Sequence, residues 1–208
     1  MTYFQHSVKS EIKYILLLVT LILIISGVLY KDFLLGEKLY IYTDQGRDTL
    51  NNYWPFYSYL INAIRSNQLS FWLFQDGLGN SIFSNSDLIF DPFNIILLLF
   101  NQQTLPYAFG CIAVLKILLA GLFFYLYISC FDIMPYVRII GSLLYSFNGY
   151  MILWGQHYQS ATLLVFLPLL LFSCEKLIKE TKNRINIFHQ KQVSRKDSTN
   201  CLPQKPYL

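Results

Sequence analysis

Two carboxylates, Asp44 and Asp48, stand four residues apart with Gly46 and Arg47 between them, in the stretch Tyr42-Thr43-Asp44-Gln45-Gly46-Arg47-Asp48-Thr49. The glycine favours a turn, and a helix starting near Asp48 gives that side chain an ordinary task, accepting hydrogen bonds from the helix's free N–H groups. The same pair also suits a general base, or a metal ligand beside a sugar phosphate. Arg47, Lys116 and His157 are the other candidates, all three for binding substrate. Lys116 is the only charge in the apolar run from Leu105 to Phe131. A lysine there must snorkel, pair, or face a polar cavity, and it lies too deep for easy snorkelling. His157 is a lone histidine in a short turn, where plain surface exposure is its commonest fate.

These residues depend on apolar elements to position them. Of the 208 residues 54% are hydrophobic and 13% charged, against about 25% charged in a soluble domain. Tyr14 to Tyr30 reads YILLLVTLILIISGVLY without a charge, which no helix with a solvated face would show. The run is longer than a secretory signal's apolar core, and Lys31, Asp32 and Phe33 follow in place of a small-residue cleavage site, so it reads as an uncleaved anchor. Further runs cover Leu105–Phe131, Ile139–Trp154 and Ala161–Cys174. The expected fold is therefore all-α: about four transmembrane helices near 14–30, 105–131, 139–154 and 161–174, with a long loop over 31–104. That loop should hold an amphipathic helix over Tyr53–Ile64 and a turn cluster over Gln75–Asn80. Pro92 interrupts the short apolar run Ile95–Phe100, which suits an interfacial or re-entrant helix.

Charge sets the expected orientation. Residues 176–208 hold eight Lys or Arg and two acids. A basic stretch directly after an apolar helix is the usual cytoplasmic flank and gives no reason to invoke nucleic acid. Four crossings place residues 1–13, the link around Arg138 and the basic end in the cytoplasm, with 31–104 and the turn 155–160 outside. From about Thr181 the apolar pattern is lost, and 181–208 reads as a disordered or truncated tail. Cys111, Cys130, Cys174 and Cys201 have no metal-site spacing and read as small packing residues.

Taken in order, several elements carry more than their parts: Asp-x-Gly-x-Asp-Thr after the first span, Tyr-x-Pro-Phe (53–56), Phe-Trp (71–72), Gly-Leu-Gly-Asn (77–80), Asp-Pro-Phe-Asn (91–94), Tyr-Ser-Phe-Asn-Gly-Tyr (145–150), Gln-His-Tyr (156–158) and Leu-Pro-Leu (167–169). Over residues 10–180 this resembles the N-terminal part of YfhO-type bacterial membrane proteins. The resemblance implies a polytopic glycosyltransferase of the GT-C architecture in the bacterial cell membrane. Such an enzyme takes a sugar from a lipid-linked donor and adds it to an envelope polymer such as teichoic acid, among membrane lipids. It assigns the catalytic base to an acidic residue of the first external loop, here Asp48 or Asp44. The phosphate leaving group needs a cation, which leaves room for a divalent metal ion although no metal-ligand cluster stands out. Members of the group are normally several times longer, so a chain of this length would lack the remaining spans. The alternative is a non-catalytic carrier or scaffold for lipid-linked precursors. A carrier should show ionisable residues over several spans and internal repeats, whereas only Lys116 is intramembrane here.

Overall fold

A computed structural model describes residues 2–41, 49–74, 77–85, 89–155 and 158–200. The first helix, α1 (Thr2–Leu29), includes the uncharged run. Leu18, Ile22, Ser26 and Tyr30 are buried while Leu16, Leu17, Leu23, Ile24 and Val28 are exposed. The buried set recurs every four residues, so one stripe faces protein and the rest of the helix presents leucine and isoleucine outward. Among the described residues three helical stretches are long and apolar enough to cross a membrane: Glu11–Leu29, Leu105–Ile128 and Ser160–Phe188.

After α2 (Lys31–Leu34) the described chain resumes in a π-helical turn, Thr49–Tyr53, and runs into α3 (Trp54–Arg65). This is the expected amphipathic helix, burying Phe56, Tyr57, Leu60 and Ile61. Strands β1 (Trp72–Leu73) and β2 (Asn80–Ser81) pair antiparallel across the expected turn, with Gly77 and Gly79 at positive φ. The Trp72 indole lies where a side chain on Gly79 would go, so only glycine fits. A 3-10 turn (Ile82–Asn85) follows, then α4 (Pro92–Leu97). Pro92 starts this short helix instead of interrupting it: Asp91 is the N-cap, and proline at the first position gives up an N–H that has no partner there anyway.

Helix α5 (Leu105–Ile128) is the hub. It touches α1, α2, α3, α4, α6 (Pro135–Ser146) and α8 (Tyr158–Asn200). Close approach depends on Gly121, where a Cβ would run into Ser146 Oγ and come within 2.6 Å of Ile22 Cδ1. At the far end of α1, Arg138 of α6 donates to both carboxylate oxygens of Glu11, at 2.8 and 3.3 Å. Tyr125 Oη of α5 donates to the same carboxylate at 3.1 Å. One acidic side chain thus clasps three helices together.

The apolar run 139–154 is not one helix. It is α6 followed by α7 (Gly149–Leu153). Asn148 makes the break: its side-chain amide donates to Tyr145 O at 2.6 Å and its side-chain oxygen accepts from Met151 N at 2.9 Å. A short polar side chain that can replace the backbone's own partners ends one helix and caps the next. At 12 residues, α6 alone rises about 18 Å, short of the roughly 30 Å hydrocarbon layer, so the expected third span is not one helix. Instead α6 and α7 together carry the chain from Arg138, at Glu11 near one end of the α1 span, to Gly155, beside Tyr40 at the other.

Helix α8 continues past the apolar run to Asn200, and it contains Pro168. A proline removes the N–H that would bond the carbonyl four residues back. That carbonyl, Leu164 O, accepts from Tyr145 Oη at 2.8 Å. The Tyr145 ring also stacks on Phe124, centroids 4.4 Å apart, so α5, α6 and α8 are joined at the place where α8 would otherwise be weakest. Cys111 and Cys174 are exposed and Cys130 half-buried, so the first two point outward from the helices and do not fill their interior; Cys201 lies outside the described residues.

The Gly121 contact predicts a measurable asymmetry. Gly121→Leu should lower stability by about 1–3 kcal/mol, the usual cost of overpacking, read as a drop in thermal unfolding midpoint in detergent. Gly27→Leu, where nothing lies within 4 Å of the new Cβ, should leave the midpoint unchanged. Equal behaviour of the two would show that α5 does not pack as closely as described.

Candidate functional site

Asp44, Arg47, Asp48 and His157 lie outside the described residues, and their flanks locate the segments that carry them. On the incoming side, Lys38 Nζ sits 2.6 Å from Asp32 Oδ2. This hydrogen bond holds the Asp32 carboxyl below its usual range and pushes the Lys38 ammonium up. Tyr40 then turns inward: it is buried, with its ring 5.7 Å from Tyr30 and 5.3 Å edge-on from Phe33. A Cβ on Gly110 of α5 would stand 3.6 Å from Tyr40 Cβ, so the chain entering the acidic element lies directly on α5. On the outgoing side Thr49 is fully buried and Tyr53 nearly so. The seven residues between Ile41 and Thr49 are therefore anchored in the bundle at both ends.

The second segment leaves from the same place. A Cβ on Gly155, which directly precedes Gln156 and His157, would lie 3.1 Å from Tyr40 Oη. The last described residues before the two undescribed stretches, Tyr40–Ile41 and Gly155, thus lie side by side. Beside them opens a largely apolar pocket of about 250 Å³ lined by Leu29, Tyr30, Phe33, Tyr40, Ile41 and Ile152.

Lys116 is the sequence candidate that the structure does describe, and its burial is nearly complete. Its Nζ is 3.4 Å from Asp91 Oδ2, and both side chains are 2% exposed. Asp91 accepts from Thr162 Oγ1 of α8 on the same oxygen and from Phe93 N on the other, at 2.8 Å. The Phe93 ring lies 5.2 Å from the ammonium. The lysine therefore pairs and does not snorkel. It stands six residues beyond Gly110 on α5, about 9 Å along the axis, so the ion pair lies within one short step of the acidic element's entry. Next to Asp91 on α4, the Asn94 side chain is buried with neither amide atom hydrogen-bonded.

Asp91 is absent from the candidates that the sequence supplies. Two signals pointed to it: an Asp-Pro pair opening an apolar helix, and a deep lysine in need of an opposite charge. Neither gives the separation of 25 residues at which the partners meet.

A family model described as bacterial membrane protein YfhO matches residues 16–189. The chain belongs to the YfhO family. No curated protein and no solved structure matches it. The YfhO match runs from within α1 to far along α8 and so takes in every candidate: Asp44, Arg47, Asp48, Lys116 and His157, together with Asp91 and Thr162. As a YfhO protein with three such helices the chain is a membrane protein. Among its described residues no three His, Cys, Asp or Glu side chains come together as a metal site.

The ion pair makes a sharp prediction for this YfhO chain. Asp91→Asn keeps an N-cap, since asparagine caps as well as aspartate, but it removes the carboxylate charge that faces the Lys116 ammonium. Stability should fall by about 3–5 kcal/mol. Adding Lys116→Met removes the ammonium as well and should restore most of the loss. Thermal unfolding of the two single variants and the double variant checks it; simple additivity would mean that the two groups are not coupled.

Proposed function

We propose that this YfhO chain is a membrane glycosyltransferase module of the GT-C type, moving a sugar from a lipid-linked donor onto an envelope polymer such as teichoic acid. The observation that carries the reading is that the described flanks of the acidic element, Tyr40 and Thr49, are buried in the bundle, and that Tyr40 adjoins both Gly155, which precedes His157, and an apolar pocket. An apolar pocket beside a few convergent polar groups is the usual form of a small-molecule site. A lipid-linked donor has matching parts, an apolar chain and a phosphate-bearing head.

In the proposed reaction the acceptor hydroxyl oxygen bonds to the anomeric carbon of the donor sugar. The bond from that carbon to the lipid phosphate oxygen breaks, and its electron pair leaves with the phosphate. The hydroxyl proton passes to a carboxylate, Asp48 in preference to Asp44. Arg47 supplies positive charge toward the phosphate, with His157 on the companion segment; Lys116, the other expected substrate-binding charge, is held against Asp91 inside the bundle and acts by positioning α4 on α5. A divalent cation would further neutralise the leaving group. The basic stretch 176–208 supports a cytoplasmic face for the N-terminus and the end of α8, with 31–104 outside. Labelling of a cysteine placed at 190 by a membrane-impermeant reagent on intact cells would put the end of α8 outside and overturn the four-crossing arrangement.

One observation favours the second reading, a carrier or scaffold for lipid-linked precursors: the Lys116 charge is already met by Asp91 inside the bundle, as in a structural pair. The two readings separate at Asp48. Asp48→Asn preserves size and capping capacity but removes basicity. Sugar incorporation into envelope polymer should fall by about 10²–10⁴ at unchanged protein level, with Asp44→Asn giving the smaller loss. Near-normal incorporation in the single variants and in the double variant would leave the scaffold as the better account.

A further inference from the structure

The hairpin between α3 and α4 presents its apolar residues on the wrong side for water. Leu73 and Ile82 are buried in the common core, which fixes the hairpin to the bundle. Yet the outward positions are also apolar: Phe71, Trp72, Phe74, Leu78, Phe83 and Phe90 are all exposed. Phe74 is 79% exposed and Leu78 completely so. Phe71 and Phe83 stack on each other at 5.8 Å, which extends the patch across both sides of the hairpin. Between Arg65 and Asp91 the sequence carries two charges, Asp76 and Asp87. Soluble surfaces rarely gather this much exposed aromatic area without an occupant.

The position of the hairpin's root identifies the occupant. At the end of α3, Arg65 donates to Phe100 O at 3.1 Å and to the Asn101 side chain. Asn101 O in turn accepts from Leu105 N at 2.8 Å, the first residue of α5. The hairpin therefore springs from a point one turn from the end of a 24-residue spanning helix. Such a helix is about 36 Å long, against roughly 30 Å of hydrocarbon and 40–45 Å with headgroups. Its end lies in the headgroup layer, and so does the hairpin's root. Depth is limited by the backbone. The turn between β1 and β2 is irregular backbone, with Gly77 and Gly79 at positive φ, and lipid-exposed irregular backbone does not enter hydrocarbon. In this patch Trp72, whose ring has one polar edge, is the side chain that favours this layer, while the phenylalanines and Leu78 are apolar throughout and suit its acyl side.

We propose that the hairpin Trp72–Ser81 lies in the lipid–water interface of the membrane that this chain spans, with Phe71, Phe74 and Leu78 reaching toward the acyl chains and the backbone held at headgroup level. The patch is then continuous with the lipid-facing surface of the spanning helices.

The test uses the full chain reconstituted in phosphatidylcholine–phosphatidylglycerol vesicles. Cys111, Cys130, Cys174 and Cys201 are replaced by Ala, and a nitroxide is attached at Phe74→Cys or Leu78→Cys. The expected result is relaxation of both labels by oxygen well above relaxation by a water-soluble nickel chelate, with a depth at the headgroup boundary. Dominant relaxation by the chelate would overturn the proposal by placing the hairpin in water. Dipolar broadening between labels, with both agents excluded, would overturn it in favour of a second copy covering the patch. Because labelling could disturb the turn, an unlabelled protein keeping Trp72 alone (Trp54→Phe, Trp154→Phe) provides the second measurement. Its fluorescence should be quenched by lipid brominated near the headgroup more than by acrylamide, and the reverse order would again sink the idea.

Discussion

A charge in the middle of an apolar helix is stable there only with an opposite charge close by, and much of this molecule is arranged to supply one. Lys116 is the twelfth of the 24 residues of α5, too far from either end for its ammonium to reach water. Asp91 meets it, and to do so the chain between the first two spanning helices must fold back until the start of α4 lies against α5. The carboxylate is itself secured from three directions: the Phe93 backbone, the Lys116 ammonium and the Thr162 hydroxyl. A loop helix, the hub helix and the last helix are tied through one side chain. An isolated buried ion would destabilise the bundle by several kcal/mol; the satisfied pair lets the same residues define a single arrangement.

The Glu11 clasp does at one end of the bundle what Asp91 does in its middle. It too uses a carboxylate with several donors, here Arg138 and Tyr125. Between the two clusters α5 is gripped at Lys116 and at Tyr125, nine positions apart in sequence. Apolar contacts alone would resist sliding weakly, since lipid tails are as apolar as leucine and no hydrophobic force favours one helix register over another. Paired polar groups at two heights supply the missing specificity, and Gly121 between them sets how closely α1 and α6 approach.

Much of this was legible in the sequence where a single helix decides the outcome. The uncharged run 14–30, the amphipathic pattern 53–64 and the glycine turn near 77–79 each carry their own local cause. Legibility fails where the cause is distant or where one residue can serve two roles. Pro92 reads as an interruption until Asp91 is seen as the cap that makes it a first residue. Asn148 sits inside an apolar run, and only its two side-chain bonds divide that run. The meeting of Asp91 with Lys116 and Thr162 is fixed by how the whole chain folds back on itself, and no spacing rule reaches that far. The acidic pair Asp44 and Asp48 was found from its own pattern, and the anchoring at Tyr40 and Thr49 adds what the pattern lacked, a fixed place of departure.

Pro168 has a mechanical consequence. With its missing hydrogen bond made good by Tyr145, α8 has a built-in joint whose loose carbonyl is already occupied, so bending there exposes no unsatisfied group. Proline sites are where helices bend most readily. Beyond Pro168 the helix extends a further 32 residues to Asn200, about 48 Å. It is an arm that starts at a joint inside the bundle, completes the apolar stretch to Phe188 and ends in a basic segment beyond it. By the same helix geometry a bend of only about 10° at this joint displaces the tip by about 8 Å, and the bond from Tyr145 to Leu164 O lies at the point where that bend would occur.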